Sequence, residues 1–415
     1  ATGVPALDAA VQSIRGARLT PLFPPNPRYA AERAKYGIDQ WYELRFDSTA
    51  ASPREAAARL AATDGIMRAE TVKAPKLVGS DRFIIQKSPA QAAAGAAMPF
   101  NDPRLPGQWH YSNSGTMAGT VAGADANVFN AWLTETGRPD VVVAIIDGGV
   151  DYTHEDLARN MLVNQAEADG TSGRDDDGNG YADDVYGWNF CTNSPQIYPH
   201  SHGTHVAGTV AAVNNNGIGV AGVAGGDGSE SSGVRMISCQ VFDSRSGVGE
   251  GDFAKAIVYA AERGATIAQC SWGWGEPDYY EQAVLDAINY FSRMARNDRM
   301  TGGLCIFAAG NNGATGNYYP GCIDQVLTVG SMTADGTVAS YSNYGPWVDI
   351  TAPGGLLDYG EQMGVLSTLP NNSYGWNEGT SMACPHVSGI AALVLSKYGS
   401  ESMSPEMLRT QLETA

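Results

Sequence analysis

The stretch EGTSMACPHVSG, Glu378 to Gly389, places a hydroxyl, a thiol and an imidazole (Ser381, Cys384 and His386) within six positions of one another. These groups are the raw materials of nucleophilic catalysis, but closeness in sequence does not decide which of them works. Two other segments carry residues able to cooperate with them. Asp147 ends the apolar run VVVAIID and is followed by two glycines, and a carboxylate in that position is costly unless it is paired or hydrogen-bonded. In HSHGTHVAGTV, His202 opens a run with helical spacing, three residues before His205. The two histidines lack the intervening Glu of an HExxH zinc helix, and no third ligand is evident, which argues against zinc.

The elements that must position these groups are legible downstream of about Asn101. There VVVAIIDGG, SHGTHVAGTVAA, VRMISCQVF, FAKAIVYAAERG, TIAQC, LCIFAAGNNG and VLTVGS follow one another. Short apolar runs alternating with helical segments predict a parallel sheet covered on both faces. In such sheets functional groups collect at the carboxyl ends of strands. That puts Asp147 at a strand end, His202 at a helix N-terminus, and Ser381 at the start of the helix SMACPHVSGIAALVLSK, the positive end of its dipole. Together they supply the orienter, base and nucleophile of an acyl-transfer triad. Asn311 in FAAGNNG follows another apolar strand, where its amide can donate to a developing oxyanion beside the backbone N–H of Ser381. Cys384 and His386 then read as packing of the same helix.

Upstream, residues 1–36 show little periodicity and remain unassigned. Residues 37–87 read as a small α+β domain: QWYELRFD as a strand, SPREAAARLAAT as a helix with Ser52 as N-cap and Pro53 at its first position, and IMRAETVKA as a second strand. Residues 88–100, SPAQAAAGAAMPF, form a linker of small residues, and residues 101–415 make the large domain.

Composition narrows the function classes. The 415 residues, 43% hydrophobic and 17% charged, describe a folded chain of two or three domains. A formal net charge of -18 disfavours nucleic acid and anionic membranes and favours cations. No run of apolar residues is long enough to span a bilayer. No charged and then apolar leader opens the chain. Six cysteines show neither a CxxC pair nor zinc-ligand spacing. In GRDDDGNGYADD, Asp175, Asp177, Asn179 and Gly180 follow the first half of a calcium loop. Tyr186 stands where an EF-hand has its final Glu, so an isolated calcium loop is expected, with Asp183 or Asp184 completing the shell.

The order Asp, His, Ser, carried by DGGVDYTHEDL, HGTHVAGT, AAGN and GTSMACPHVSG, resembles the subtilisin-like serine protease family over roughly Asn101 to the C-terminus. The resemblance implies an α/β fold with a seven-stranded parallel sheet and helices on both faces. It also implies a secreted, monomeric endopeptidase that cleaves polypeptides through an acyl-enzyme. It carries the triad to Asp147, His202 and Ser381 and the oxyanion donor to Asn311. It further implies that Ser271, Trp272 and Gly273 of SWGWG pair with the substrate backbone and wall the pocket for the residue before the scissile bond. Tyr318 of GNYYPG is expected near the floor of that pocket, with no acidic residue there, favouring uncharged or aromatic side chains. A structural calcium is implied at Asp102, Asp156 and Asn215. The leading domain resembles the family's propeptide, which assists folding and blocks the active site, so the chain reads as a zymogen cut at AAAGAA. Two departures stand out: Gly148 occupies a position where the family usually has Ser or Thr, and the chain stops where the family normally continues, which suggests C-terminal truncation. The alternatives are a catalytically silent relative acting as a binding module, or an esterase. The α/β-hydrolase order Ser, Asp, His with its G-x-S-x-G elbow does not match.

Overall fold

The computed structural model describes residues 4–414 except 48, 50, 79–81 and 89–97. Seven strands form one sheet: β1 (Val142–Gly148), β2 (Gly187–Asn189), β3 (Arg235–Phe242), β4 (Ile267–Cys270), β5 (Leu304–Ala308), β6 (Val326–Met332) and β7 (Ile350–Pro353). Their spatial order is β7-β6-β5-β4-β1-β3-β2, with every neighbouring pair parallel. From β1 the chain goes to the edge as β2, comes back to fill the gap with β3, then crosses to β4 on the other side of β1. The carboxyl end of β1 therefore lies at the switch in strand order, where such sheets form a crevice.

Alternate side chains of β1 enter different cores. Val143 and Ile145 pack with α1 (Ser201–Ala211) and α4 (Thr380–Tyr398), while Val142, Ala144 and Ile146 pack with α2 (Phe253–Glu262) and α3 (Gln282–Met294). Burial on both faces explains the continuous apolar runs. Each large apolar side chain so buried contributes about 1.5–3 kcal/mol. All six cysteines are free thiols, and among the described residues no helix is long and apolar enough to cross a membrane.

The leading region follows its sequence only in part. The helix Pro53–Ala61 forms behind a reciprocal cap: Ser52 Oγ accepts from Glu55 N, and the Glu55 carboxylate accepts from Ser52 N. This arrangement satisfies two otherwise orphaned donors. Strand Tyr42–Arg45 also forms, but its antiparallel partner is Arg18–Pro21, so part of the unassigned N-terminal segment belongs to the same unit. The strand expected at IMRAETVKA does not form. Its apolar Met67 and Val72 are 93% and 82% exposed, because no core covers them. Instead Lys76–Leu77 pair with Trp272–Gly273, and Ile84–Ile85 pair with Gly375–Trp376. The Ala-rich tract at 92–97 lies outside the described residues.

This region docks on α2 and α3 through Arg33, whose Nε and Nη2 donate to the two oxygens of Glu262 at 2.7 Å each. Asn26 Nδ2 and the Tyr290 hydroxyl donate to the same carboxylate. The Glu70 carboxylate accepts from Gln282 N and Ala283 N at the start of α3, where a negative charge is favoured.

Candidate active site

Three strand-to-helix junctions meet at the carboxyl edge of the sheet. Asp147 ends β1 with no exposed surface, and its Oδ1 accepts from His202 Nδ1 at 2.8 Å. A carboxylate can only accept, so the proton sits on Nδ1 and Nε2 is left as the basic nitrogen. Nε2 is buried and has no partner among the described residues. His202 is the second residue of α1. The α1 N-terminus is capped by His200, whose Nδ1 accepts from His202 N at 3.1 Å.

The glycine after Asp147 has a steric cause. A Cβ on Gly148 would stand 2.4 Å from His200 Cγ, and one on Gly203 would stand 2.0 Å from the Gly148 carbonyl oxygen. Helix α1 thus approaches the end of β1 too closely for side chains, and the His200 ring fills the space beside Gly148. One consequence is that Asp147 Oδ2, although buried, has no partner among the described residues. The hydroxyl that Gly148 lacks is not replaced.

Ser381 is the second residue of α4, which begins at Thr380. Its Oγ donates to the Ser271 carbonyl at 3.2 Å, so in this structure the hydroxyl is turned toward the β4 end. Asn311 follows β5. Its Oδ1 accepts from Thr380 N at 3.0 Å and from Thr380 Oγ1 at 2.8 Å. Those two bonds fix which way the amide points, leaving Nδ2, among the described residues, as its free donor. A preorganised donor of this kind is what a tetrahedral oxyanion needs.

The segment Ser271–Gly273 is an edge, and the leading region occupies it. Lys76 lies opposite Gly273 and Leu77 opposite Trp272, and Val78 N donates to the Ser271 carbonyl at 3.0 Å. Val78 N and Ser381 Oγ therefore share one acceptor. Beyond Val78 opens a cavity lined by Trp274, Ala309, Asn311, Tyr318 and Tyr319. Tyr318, which the resemblance puts near the floor of a substrate pocket, is among the residues lining this cavity. The Trp272 side chain is fully buried against Phe253 and Phe307, so on this edge the residue presents only its backbone. Trp274 was missed. It lines the cavity, and its Nε1 donates to the Lys73 carbonyl at 2.7 Å.

The remaining candidates of the opening motif serve the framework. Cys384 is buried, its thiol donates to Gln269 Oε1 at 3.1 Å, and burial pushes its pKa up to about 12. His386 Nδ1 is 2.8 Å from the Met382 carbonyl, and burial holds its pKa down at about 4. His205 Nε2 faces the carbonyls of Val365 and Gly375 at 3.1 Å each, and its pKa falls to about 3, chiefly through burial.

Two carboxylate sets offer hard oxygen ligands of the kind calcium takes. Glu167, Asp175 and Asp177 each present an oxygen within 4.8 Å of the others. Glu167 escaped the sequence reading because it lies in a separate short helix, Gln165–Ala168. Asn179 and Asp184 are tied into the same loop by hydrogen bonds. Asn179 Oδ1 accepts from Tyr181 N, and its Nδ2 donates to Asp184. Asp184 also accepts from Asn164 and Tyr259 and lies 3.4 Å from Arg263. At the second set, Asp102 and Asp156 are buried, which pushes the Asp102 carboxyl up to about 6 and raises that of Asp156 well above the usual range. Asn216 Nδ2, not that of Asn215, reaches Asp156 at 2.7 Å. Asn215 also borders this set: its N donates to Asp102 Oδ2 at 2.8 Å, while its side-chain amide donates to the Asp227 carbonyl.

Comparison with known proteins converges on one family. The subtilase family model (peptidase S8) matches residues 138–415. A thermophilic serine proteinase of Bacillus sp. strain AK1 is 36% identical over 269 residues, covering 64% of this chain and 55% of its own. An extracellular protease of Xanthomonas campestris pv. campestris is 33% identical over 335 residues, 77% of this chain and 53% of its own. Among solved structures, a protease of Pseudoalteromonas arctica PAMC 21717 is similar with a TM-score of 0.55 at 33% identity, covering 76% of this chain and 92% of that one. The chain spans about half the length of the curated relatives it matches.

Proposed function

Since the chain belongs to the subtilase family of serine proteases, we propose that it is a secreted serine endopeptidase that carries its own blocking segment. Ser381 attacks the scissile carbonyl, His202 Nε2 takes its proton, Asp147 holds the imidazole in that tautomer, and Asn311 Nδ2 with Ser381 N receives the oxyanion. The observation that carries the reading is the shared acceptor: Val78 N and Ser381 Oγ both meet the Ser271 carbonyl. In an antiparallel substrate strand on this edge, Val78 is the residue before the scissile bond. We therefore place the maturation cut at Val78–Gly79 instead of in the tract 92–97. Secretion is supported by the extracellular relative.

Calcium, when bound, would supply positive charge to Glu167, Asp175 and Asp177, and to Asp102 and Asp156 beside Asn215, stabilising the folded chain by mass action. It takes no part in the chemistry.

Intact-mass measurement and N-terminal sequencing of the purified chain over time, with calcium and with chelator, test this reading. The expected product begins at Gly79, a Ser381→Ala chain stays whole, and chelator accelerates further breakdown. Absence of peptide hydrolysis, with Ser381→Ala indistinguishable from the parent, would sink it.

A further inference from the structure

The helix carrying the nucleophile contains a proline, Pro385. Proline has no N–H, so the carbonyl four residues earlier loses its helical donor, and that carbonyl belongs to Ser381 itself. A buried carbonyl left bare is costly, and here it is not bare: Ser271 Oγ donates to Ser381 O at 3.0 Å.

A wider network fixes the direction of that bond. The Ser388 hydroxyl and the Cys384 thiol donate to Gln269 Oε1 at 2.7 and 3.1 Å. That orients the Gln269 amide so that Nε2 donates to Ser271 Oγ at 2.7 Å. With its lone pair engaged, the Ser271 hydroxyl has its proton free for Ser381 O. Gln269, Ser271, Ser381, Cys384 and Ser388 all have 0% exposure, so water does not compete for these bonds.

We propose that Ser271 is a positioning residue for the nucleophile, its hydroxyl standing in for the amide proton that Pro385 lacks, and that Gln269 aims that hydroxyl. Ser271 then acts in two directions. Its side chain holds the peptide plane that follows Ser381, and its main-chain carbonyl holds the strand presented to Ser381, as it does Val78 N. Nucleophile and substrate are registered against one residue. A small rotation of the Ser381 peptide would change how Oγ can reach His202 Nε2 when it turns from the Ser271 carbonyl, and rates fall steeply with such misplacement. This proposal rests on the assignment of Ser381 as nucleophile.

The test is a double-mutant cycle on Ser271→Ala and Pro385→Ala, with kcat and KM measured on a peptide substrate and normalised by active-site titration. Ser271→Ala is expected to lower kcat by about tenfold to a hundredfold. KM should stay within about twofold, because the substrate-binding carbonyl remains. In the Pro385→Ala background the backbone N–H returns, so adding Ser271→Ala should change kcat by no more than about threefold. An equal kcat loss in both backgrounds, or a loss confined to KM, would overturn the proposal. Ser271→Cys, nearly isosteric and a weaker donor, covers the case in which Ser271→Ala does not fold. It should show an intermediate kcat with Pro385 and near-parental kcat with alanine there, and any other pattern counts against the role. A Ser381→Ala enzyme that still turns over would mark failure of the nucleophile assignment. Missing coupling alongside an inert Ser381→Ala would mark failure of the Ser271 role alone.

Discussion

The central sheet and the leading region are fastened to the molecule by different physics. Strand β1 is buried at every residue, and its attachment is spread over apolar contacts on both faces. The leading region reaches the core with Phe23 and Ile38 and packs Leu22, Tyr36, Trp41 and Leu77 partly buried against it, and it adds discrete polar ties: Arg33 on Glu262, Glu70 at the start of α3, and the short ladder at Lys76–Leu77. A distributed apolar attachment yields only when the domain unfolds. A few polar ties can open locally, at a fraction of that free energy.

The largest test of this contrast is Ser381→Ala. Peptide hydrolysis should fall by about a millionfold, while the uncut leading region stays docked and the sheet keeps its stability. A rate assay and thermal unfolding on the same sample read both. In that inactive background, Glu262→Gln should separate the two regions. It leaves the Arg33 guanidinium, 6% exposed at its side chain, without its charge partner, a change that costs about 3–5 kcal/mol for a buried pair. Limited proteolysis should then cut within residues 4–88 and spare the sheet; equal resistance in both regions would contradict the polar-tie description.

Acid should act on the sheet side. Burial depresses the folded-state pKa of His386 to about 4 and of His205 to about 3, from 6.5. The unfolded chain therefore binds more protons below pH 6.5. Their contribution to stability is complete above pH 6.5 and is lost progressively as pH falls toward 4 and then 3. Urea unfolding of the Ser381→Ala chain at pH 7, 5.5 and 4 checks the direction. The smallest effect is expected for Cys384→Ala: the thiol's hydrogen bonds run to Gln269 and main-chain carbonyls, and Ser388 Oγ still holds the same Gln269 oxygen, so activity should stay within about threefold. Near-complete inactivation of a folded Cys384→Ala enzyme would reopen the choice of nucleophile.

How much was legible follows from how far each feature reaches along the chain. The alternation of strands and helices, the cap at Ser52, and the junction positions of Asp147, His202 and Ser381 are local patterns, and local patterns are written in periodicity and turn chemistry. The backbone edge at Trp272 was legible in SWGWG, but the direction of its side chain was not, because an aromatic beside an edge and an aromatic in a core look alike in sequence; alternation along the strand sends this one inward. The strand expected at IMRAETVKA failed because its pattern had no core to fill. Glu167 carried no signal, since nothing in its own short helix announces the acidic loop beside it.

The sequence by itself determined the chemistry available and the order of the elements that carry it, because each catalytic group sits within a few residues of the strand end or helix start that aims it. Only the tertiary structure decided how those groups are held. That His200 fills the space beside Gly148, that Val78 meets Ser271, and that Ser271 reaches the Ser381 carbonyl across 110 residues all depend on distances between segments remote in the chain. Such distances arise only once the sheet has brought its carboxyl ends together.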